Sequence, residues 1–425
     1  MGLGRTRALL RALGDPQLAV RGALVAGTNG KGSVLALAGS ALRTAGLRVG
    51  ETPKPHLVSY RERVVIDGRP IGVDDFTRNV EAVLAVADRV ARRHGDPTEF
   101  ELLTAVVFRH FAEADLDLAL VEVGLGGRLD ATHAWDGGIA VVTNVDLDHT
   151  DRLGPTIAAI AREKAAIIER GDIAVTGATG EALEIIGRRA RRMAAPLTVV
   201  EPATVLGWDR DGIDVEMPGL GPTRVGLRGR HQAANVAVAD ALLDALAEAG
   251  IATVDPDARR RGYATAVWPG RLELLELGEG RDVLLDGAHN PAGATALARA
   301  LDDLRPHLAA GPLTLVMASM ADKDVDGVVT ALGGAAALRG ANVIATSVDA
   351  PRAMPAAELG DRWRRLPGPA SVNVVPDPLE AVDGAVAAGP GTTVVAGSLY
   401  LVGAVRAHLV DDPDLRDPDP GAPAR

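Results

Sequence analysis

The sequence predicts an α/β chain of two domains, each built around a mainly parallel sheet. Three observations carry this prediction. Short apolar strands alternate with helical stretches, the 425 residues exceed what one ordinary hydrophobic core holds, and the alternation becomes regular from about residue 280. Each strand ends in a Gly-rich or polar turn before a helical pattern follows, which is typical of a parallel sheet flanked by helices.

The first domain is predicted from three short apolar strands, at residues 22–26, 116–123 and 139–144. Helical patterns follow at residues 34–44, which are rich in Ala and Leu, and at residues 156–169. We place this domain at residues 1–277 and expect its sheet to be mainly parallel.

The second domain is smaller, and its predicted strands and helices alternate regularly. Strands are predicted at residues 283–285, 313–318, 342–347, 371–375 and 393–396, separated by helical patterns such as 292–304 and 379–388. Five strands within roughly 120 residues fit a Rossmann-like, doubly wound domain, which we place at residues 278–410. The last segment, 411–425, is rich in Asp and Pro and is predicted to be disordered.

Composition excludes several classes of site and partner. Hydrophobic residues make up 47% and charged residues 24% of the chain, which is globular composition. The absence of cysteine excludes disulfides, thiolate metal sites and cysteine nucleophiles. The net charge of −11 disfavours a nucleic-acid partner, so the Arg-rich stretches 188–192 and 259–261 are interpreted as solvated helix faces.

The sequence shows neither a membrane-spanning segment nor a signal peptide. No apolar run approaches the length that crosses a bilayer, and the Arg-rich residues 1–13 lack the apolar core of a signal peptide. We therefore expect a cytoplasmic monomer that has neither a membrane nor a nucleic-acid partner.

A glycine-rich loop lies between the first strand and the first helical stretch. Its residues are Gly27, Thr28, Asn29, Gly30, Lys31, Gly32 and Ser33. Strand, glycine loop and helix form the layout that holds nucleotide phosphates, because glycines let backbone N–H groups approach phosphate oxygens and the helix N-terminus favours negative charge. Lys31 would neutralise the outer phosphates, and the Ser33 hydroxyl would reach Mg²⁺. The sequence thus predicts a P-loop ATPase-like first domain.

The loop departs from the general pattern G-x-x-x-x-G-K-[ST] at two positions. Val25 stands where the first glycine belongs, and Gly32 separates Lys31 from Ser33. The alternative interpretation is a Gly-rich turn with an exposed lysine. The strand–loop–helix context favours nucleotide binding.

Glu122 lies at the end of the apolar strand 116–123, in register with Leu116, Leu118 and Leu120. A carboxylate among leucines costs free energy unless it is paired or bound to a metal. The Gly-rich segment 124–130 follows at once, and the carboxyl end of a strand is where α/β proteins place ligands. Glu122 is therefore a candidate metal ligand.

His149 follows the next strand and is the candidate for a second metal ligand. It comes after Asp146 and Asp148, and oxygen-rich surroundings with one imidazole suit Mg²⁺ or Mn²⁺. The alternative is a histidine with a purely structural role.

Lys164 falls on the apolar stripe of the predicted helix 156–169, seven residues after Ile157. A lysine is rarely found on the buried face of a helix unless its charge is paired or it has a function. It could pair with a carboxylate, lose its proton or be chemically modified. The alternative is a lysine whose stem is buried while its ammonium reaches solvent.

Together these motifs resemble the folylpolyglutamate synthase and dihydrofolate synthase family, a branch of the Mur ligase superfamily. The resemblance covers nearly the whole chain. It rests on these segments in order: residues 27–33 (GTNGKGS), 56–63 (HLVSYRER), 122–132 (EVGLGGRLDAT), 148–149 (DH), 162–165 (REKA), 230–235 (RHQAAN), 268–271 (WPGR), 286–291 (DGAHNP) and 397–403 (GSLYLVG).

The resemblance implies an ATP-dependent ligase. ATP would phosphorylate a carboxylate of dihydropteroate or of a folate, and the amino group of L-glutamate would attack the acyl phosphate to form an amide. Mg²⁺ would be the metal, with Mn²⁺ or a monovalent cation as further candidates. Physical chemistry supports this mechanism. Phosphoryl transfer requires neutralisation of the negative charge on the phosphates, and a cleft without water protects an acyl phosphate from hydrolysis.

The resemblance also implies roles for individual residues. Lys31, Lys164 and His289 would act in catalysis, with Lys164 carbamylated as in related enzymes and His289 facing the interdomain cleft. The alternative for the loop of His289 is that it only caps the following helix. Residues that match metal ligands are Ser33, Glu122, His149 and Lys164. Residues that match nucleotide contacts are Asn235, Arg271 and Asp286, and those that match pterin contacts are Thr98, Leu129, Asp130 and Ala131.

Two positions depart from the family pattern. Lys54 stands where a serine is expected to contribute to a metal site, and His133 stands where an asparagine is usual. A protonated lysine cannot ligate a metal. Lys54 would replace one cation electrostatically, or Thr52 or Ser59 would substitute as ligand.

Two other functions remain open from the sequence. One is a Mur-type ligase that acts on a peptidoglycan precursor or another carboxylate. The other is a nucleotide-binding homologue that has lost ligase activity, which only Lys54 favours.

Overall fold

The structure, a computed structural model, describes residues 3–417, and these residues form three β-sheets. The helices are α1 (Gly4–Ala12), α2 (Lys31–Thr44), α3 (Val73–His94), α4 (Glu99–Glu113), α5 (Thr150–Leu153), α6 (Ile157–Ala165), α7 (Gly180–Met193), α8 (Gln232–Glu248), α9 (Pro256–Thr265), α10 (Pro291–Leu304), α11 (Val325–Gly333), α12 (Ala356–Arg364), α13 (Pro378–Ala387) and α14 (Leu399–Leu409).

The strands of the same residues are β1 (Gly22–Ala26), β2 (Val49–Thr52), β3 (Val65–Ile66), β4 (Arg69–Pro70), β5 (Leu118–Glu122), β6 (Gly138–Val142), β7 (Ile173–Thr176), β8 (Leu197–Val199), β9 (Thr204–Asp209), β10 (Gly212–Met217), β11 (Gly221–Val225), β12 (Glu273–Gly278), β13 (Arg281–Leu285), β14 (Leu313–Met317), β15 (Asn342–Ala345), β16 (Ser371–Val374) and β17 (Gly391–Ala396).

The first sheet has eight strands in the order β4–β3–β2–β5–β1–β6–β7–β8. Neighbours from β2 to β8 pair in parallel, whereas β3 and β4 add an antiparallel edge. The central strands β1 and β5 are apolar runs buried along their whole length, as expected for a parallel sheet covered by helices on both faces. The predicted α/β class with a mainly parallel first sheet is confirmed.

Helices cover both faces of this sheet. On one face α1, α3, α4, α6 and α7 share a core that includes Phe108 and Phe111, and burying each phenyl ring contributes about 2–3 kcal/mol. On the other face α2, α8 and α9 pack against the sheet. Helices α2 and α9 approach so closely that a Cβ on Gly262 would lie 2.4 Å from the Cα of Ala41.

A small antiparallel sheet, β11–β10–β9, was not predicted from the sequence. Ile213, Val215 and Met217 alternate along β10 and join the core formed with α8 and α9. This period of two is the pattern of a strand with one buried face. The sheet extends the first domain over residues in which no strand was predicted.

The second sheet has six strands in the order β12–β13–β17–β14–β15–β16. The five predicted strands correspond to β13–β17 and are parallel, while β12 runs antiparallel to β13. Helices α10, α11 and α12 pack on one face, and α13 and α14 pack on the other. This is the doubly wound arrangement predicted for the smaller domain.

The pairing of β12 bears on the domain boundary. The predicted boundary at 277/278 falls inside this strand, because Glu273–Gly278 pairs with β13 of the second sheet. We therefore propose that the second domain begins before Glu273.

The chain end is described as far as residue 417. Residues 411–417 contain a short 3₁₀ helix at Pro413–Leu415. Arg61 donates from Nε to Asp417 at 2.9 Å and from Nη2 to the carbonyl of Arg416 at 3.0 Å. The disorder of residues 411–425 stays a prediction. Residues 418–425 lie outside the described residues. Between residues 3 and 417, no helix has the length and apolar character needed to cross a membrane.

Candidate active site

A cleft of about 580 Å³ opens where the carboxyl ends of β1, β5 and β6 face the loop that follows β13. The first sheet contributes the glycine-rich loop 27–33, and the second contributes the loop 286–290. Carboxyl ends of parallel strands are the usual ligand edge of α/β sheets. The cleft is therefore the candidate active site.

The glycine-rich loop is held in place by the segment after β6. Asn29 donates its backbone N–H to Oδ1 of Asn144 at 2.9 Å, and its carbonyl accepts a hydrogen bond from Oγ1 of Thr143 at 2.7 Å. Oγ1 of Thr28 donates to the carbonyl of Asp146 at 3.2 Å. Gly30 precedes α2 with a φ of 81°, a conformation that favours glycine. The loop is thus preformed at the N-terminus of α2, where backbone N–H groups favour an anion.

Gly30→Ala is expected to weaken nucleotide binding. A Cβ at Gly30 would lie 2.2 Å from Oδ1 of Asn235, so the loop or the side chain of Asn235 must shift, and the positive φ costs an L-residue about 1–2 kcal/mol. Gly46→Ala is the matched control, because Gly46 has a φ of 84° and open space around its Cβ position. Calorimetric titration with a non-hydrolysable ATP analogue measures the difference. Equal affinities in the two variants would contradict a phosphate-binding role for the loop.

Lys31 and Glu122 face each other across the cleft floor. Nζ of Lys31 donates to the carbonyls of Gly27 and Thr28 at 3.0 and 3.2 Å and lies 3.8 Å from Oε1 of Glu122. Glu122 is only 3% exposed, and burial raises its pKa against the opposing effect of Lys31. A cation bound near Glu122 would stabilise its ionised form.

Lys164 is buried, as its place on the apolar stripe predicted. It is 5% exposed, and its Nζ donates to the carbonyl of Gly27 at 2.8 Å. Burial, together with the nearby charge of Lys31, lowers the pKa of Lys164 to about 7. The Nζ atom is buried and hydrogen-bonded to the loop, so the alternative of a lysine whose ammonium reaches solvent is wrong.

Asp148 joins the two sheets through residues of the second domain. Its Oδ1 accepts from Nζ of Lys323 at 2.9 Å, and its Oδ2 accepts from Nδ2 of Asn290 at 3.0 Å. Burial raises the pKa of Asp148, but the hydrogen bond and charge of Lys323 outweigh this effect and hold the pKa well below its usual range. His149 lies beside this cluster, with Nε2 3.4 Å from Nζ of Lys323, and burial lowers its pKa.

Asp286 and Arg271 form the opposite wall. Asp286 is buried and accepts from the backbone N–H groups of Leu272 and Ala288, each at 2.9 Å. Burial raises the pKa of Asp286, and the charge of Arg271 opposes this rise. Asn235, in the first turn of α8, donates to Oε1 of Gln232 at 2.8 Å and reaches the loop at Gly30.

His289 presents one ring nitrogen to the cleft. Its Nδ1 lies 2.8 Å from the carbonyl of Gly287, so Nδ1 must carry the proton and Nε2 the lone pair. Burial lowers the pKa of His289 to about 4, which keeps the ring neutral near pH 7. Nε2 lies 3.9 Å from Oδ2 of Asp148. Helix α10 is capped by the neighbouring Asn290, not by His289.

The side chains do not form a metal site by themselves. Across residues 3–417, no group of three His, Asp or Glu side chains is arranged to hold a metal. Magnesium is often bound by one or two protein oxygens together with substrate phosphates. Ser33 and Glu122, both in the cleft wall, fit this second arrangement.

The comparisons with known proteins agree with this geometry. The Mur ligase middle domain matches residues 25–243, and the Mur ligase glutamate ligase domain matches residues 270–399. A dihydrofolate synthase/folylpolyglutamate synthase of Bacillus subtilis is 33% identical, over 96% of this chain and 95% of that protein. This chain belongs to the folylpolyglutamate synthase and dihydrofolate synthase family of Mur ligases.

Solved structures of the family superpose on nearly the whole chain. Folylpolyglutamate synthase of Mycobacterium tuberculosis, complexed with ADP and AMPPCP, has a TM-score of 0.86 at 33% identity and covers 97% of this chain and 96% of its own. A bifunctional folylpolyglutamate synthase/dihydrofolate synthase of Yersinia pestis, complexed with AMPPNP and Mn, has a TM-score of 0.80 at 29% identity, covering 96% and 93%. The predicted family and enzyme class, an ATP-dependent ligase, are confirmed. The comparisons give no support to a Mur-type ligase for another acid or to an inactive homologue.

The predicted residues of this Mur ligase fall into two groups by position. Those assigned to nucleotide, metal and catalysis all line the cleft: Gly27, Thr28, Asn29, Gly30, Lys31, Gly32, Ser33, Glu122, His149, Lys164, Asn235, Arg271, Asp286 and His289. Their individual roles stay predictions.

The predicted pterin contacts lie outside the cleft lining. Thr98 caps α4 by accepting the backbone N–H of Glu101 at 3.3 Å. Asp130 is buried and accepts the backbone N–H of Leu125 at 2.9 Å, which shapes the Gly-rich loop after β5. Leu129 is 45% exposed and Ala131 is buried. Their contact with a pterin stays a prediction. His133, the second departure, is buried and lies 3.2 Å from Glu169.

Phe100 in the cleft lining and Lys323 beside the cleft are residues that sequence reasoning missed. Phe100 lines the cleft at the start of α4, and Lys323 reaches it through Asp148. Because lysine is rare in this chain, each lysine is a candidate functional residue, and this criterion would have identified Lys323. The chain has four lysines among its 45 basic residues, and Lys323 is one of them.

Proposed function

We propose that this chain uses ATP to join L-glutamate to dihydropteroate, to a tetrahydrofolate or to both, through an acyl phosphate. One observation carries the proposal. The glycine-rich loop, Glu122 and Lys164 of the first domain share one cleft with Asp286 and His289 of the second. Substrates would be small molecules, and the net charge of −11 disfavours a nucleic-acid partner. We expect a cytoplasmic monomer without a membrane partner.

Nucleotide binding begins at the loop. Its backbone N–H groups and the N-terminus of α2 would hold the phosphates, and the ammonium of Lys31 would neutralise charge on the outer ones. Lys31 is already poised by the Gly27 and Thr28 carbonyls, so little reorganisation is needed when phosphate arrives. Asn235, Arg271 and Asp286 would hold the rest of the nucleotide from the opposite wall.

Ser33, Glu122 and His149 would hold Mg²⁺ or Mn²⁺ together with the phosphates, with a carbamylated Lys164 assisting. When bound, the ion supplies neutralisation of the charge that develops during phosphoryl transfer. The buried carboxylate of Glu122 and its raised pKa support this assignment, since a cation relieves the cost of its burial.

The form of Lys164 would be a carbamate. Carbamylation forms a bond between the neutral amine nitrogen and the carbon of CO₂ and releases one proton, so the neutral side chain becomes an anion; starting from the ammonium, two protons are lost. The lowered pKa of Lys164, about 7, makes the neutral amine available, and the nearby positive charge of Lys31 favours the anion that results.

Glutamate would react from the side of the second domain. His289 keeps Nε2 unprotonated and aimed at the cleft, so this atom can accept an N–H of the glutamate amino group and orient its lone pair. With a pKa of about 4, His289 acts as a hydrogen-bond acceptor and not as a strong base. The flanking domains would exclude water that hydrolyses an acyl phosphate.

Phosphate release from ATP tests the proposed function. The enzyme is assayed with Mg²⁺ and L-glutamate, adding dihydropteroate or tetrahydrofolate in turn. We expect release that requires both glutamate and at least one pterin, and the pterin that works separates a single from a double activity. Omitting glutamate is the control. Release that depends on neither pterin would contradict the folate substrate class.

A further inference from the structure

Lysine is confined to one region of this chain. The sequence contains only Lys31, Lys54, Lys164 and Lys323, while all its other basic residues except histidine are arginines. Three of these lysines line the cleft, and Lys323 pairs with Asp148, which also lines it. An ammonium is a compact point charge, whereas a guanidinium is broad and planar, so the two are not interchangeable in a crowded site. Lys54 has no role in the reaction described above.

Lys54 is attached to Glu122 in two ways. Its backbone N–H donates to Oε2 of Glu122 at 2.8 Å, and its Nζ donates to the backbone carbonyl of the same residue. The ammonium also lies 5.4 Å from the ring centroid of Phe100, within range of a cation–π attraction. These contacts fix a positive charge in the cleft wall.

Glu122 therefore has donors on both sides. Oε1 faces Lys31 at 3.8 Å, while Oε2 is engaged by the N–H of Lys54. A divalent ion placed on the Lys54 side would meet a like charge at short range and would lose Oε2 as a free ligand. Repulsion of this kind is strong in a partly dehydrated cleft.

Neither Thr52 nor Ser59 supplies an oxygen ligand to the cleft on that side. Thr52 is 1% exposed, its hydroxyl has no hydrogen-bond partner in residues 3–417, and it does not line the cleft. Ser59 is also buried away from the cleft, where its hydroxyl donates to Asp417 at 2.8 Å. Of the three candidates for this position, only Lys54 reaches the cleft lining.

We propose that the ammonium of Lys54 takes the place of a divalent ion beside Glu122, so that this ligase binds one divalent ion with each nucleotide. The inference rests on the proposed function, because it requires a nucleotide in the cleft. Lys54 would supply part of the charge neutralisation that phosphoryl transfer requires, as a fixed part of the protein.

Counting manganese ions tests this inference without turnover. Free Mn²⁺ is measured by electron paramagnetic resonance while Mn²⁺ is titrated into enzyme saturated with AMPPNP. The variants are Lys54→Ser, which removes the charge and offers a small oxygen ligand, and Lys54→Arg, which keeps the charge. We expect one bound ion per site in the wild type and in Lys54→Arg, and two in Lys54→Ser.

The outcomes separate this inference from the function on which it rests. Two ions in the wild type would overturn the role of Lys54 while leaving the ligase reaction intact, and that result does not depend on how any variant folds. One ion in a Lys54→Ser variant that still binds AMPPNP would also overturn it. Absence of any nucleotide-dependent Mn²⁺ binding to the wild type would overturn both proposals.

Discussion

Lys31→Ala is expected to lower kcat for glutamate ligation by about 10²–10³-fold, the loss typical of removing one positioned stabiliser of developing charge. Nζ of Lys31 is held by the carbonyls of Gly27 and Thr28 and faces Glu122, which places its charge at the glycine-rich loop where the phosphates would bind. Steady-state kinetics with saturating ATP measure the loss in kcat.

Arg78→Ala is the control for a general loss of positive charge. Arg78 lies on the exposed face of α3, where it pairs with Asp75 and Glu113, outside the cleft lining. This variant should retain wild-type kinetics within experimental error. A Lys31→Ala enzyme with a kcat near that of Arg78→Ala would show that the loop does not act on the transferred phosphate.

Lys164→Ala is expected to lose at least about 10²-fold in activity and to regain part of it with added acetate or formate. The reason is that a carbamate is an anion, and a small carboxylate can enter the space left by the side chain. Lys164→Arg keeps a positive charge but cannot form this carbamate, so it should be inactive and insensitive to carboxylates. Full activity in Lys164→Arg would contradict carbamylation and favour a simple cationic role.

The pH dependence of carbamylation has a defined sign. Burial lowers the pKa of Lys164 to about 7, and only the uncharged amine reacts with CO₂. After CO₂ removal, reactivation at a fixed concentration of dissolved CO₂, with total bicarbonate adjusted at each pH, should become faster as the pH rises from about 6 to about 8, because the neutral fraction of the amine increases. A carbamate signal after ¹³C-bicarbonate labelling, absent in Lys164→Arg, gives a readout independent of turnover. Reactivation that slows with rising pH would contradict this account.

Much of the fold was predictable because its strands are continuous apolar runs. β1, β5 and β6 are short, buried and bounded by glycine or polar turns, and the same holds for β13, β14 and β17. The small sheet β9–β11 was missed because its strands are only half-buried and contain glycine and charged residues. The partner strand β12 was missed for a similar reason, since Glu273 and Glu276 interrupt its apolar pattern.

The candidate site was predictable where one local segment carries the chemistry. The glycine-rich loop, Glu122 and Lys164 each stand out against a local pattern, and all three line the cleft. Lys323 was not predictable from its neighbours, because its role comes from a 2.9 Å contact with Asp148, which is 175 residues away in sequence. Contacts between domains leave no periodicity in the sequence.

Transfer of ¹⁸O from the acid substrate to phosphate tests carboxylate activation by ATP most directly. A pterin acid labelled with ¹⁸O in its reacting carboxylate is turned over with ATP, Mg²⁺ and L-glutamate, and the released phosphate is analysed by mass spectrometry. An acyl phosphate predicts that one labelled oxygen moves into the phosphate for each amide formed. Amide formation with unlabelled phosphate would contradict it.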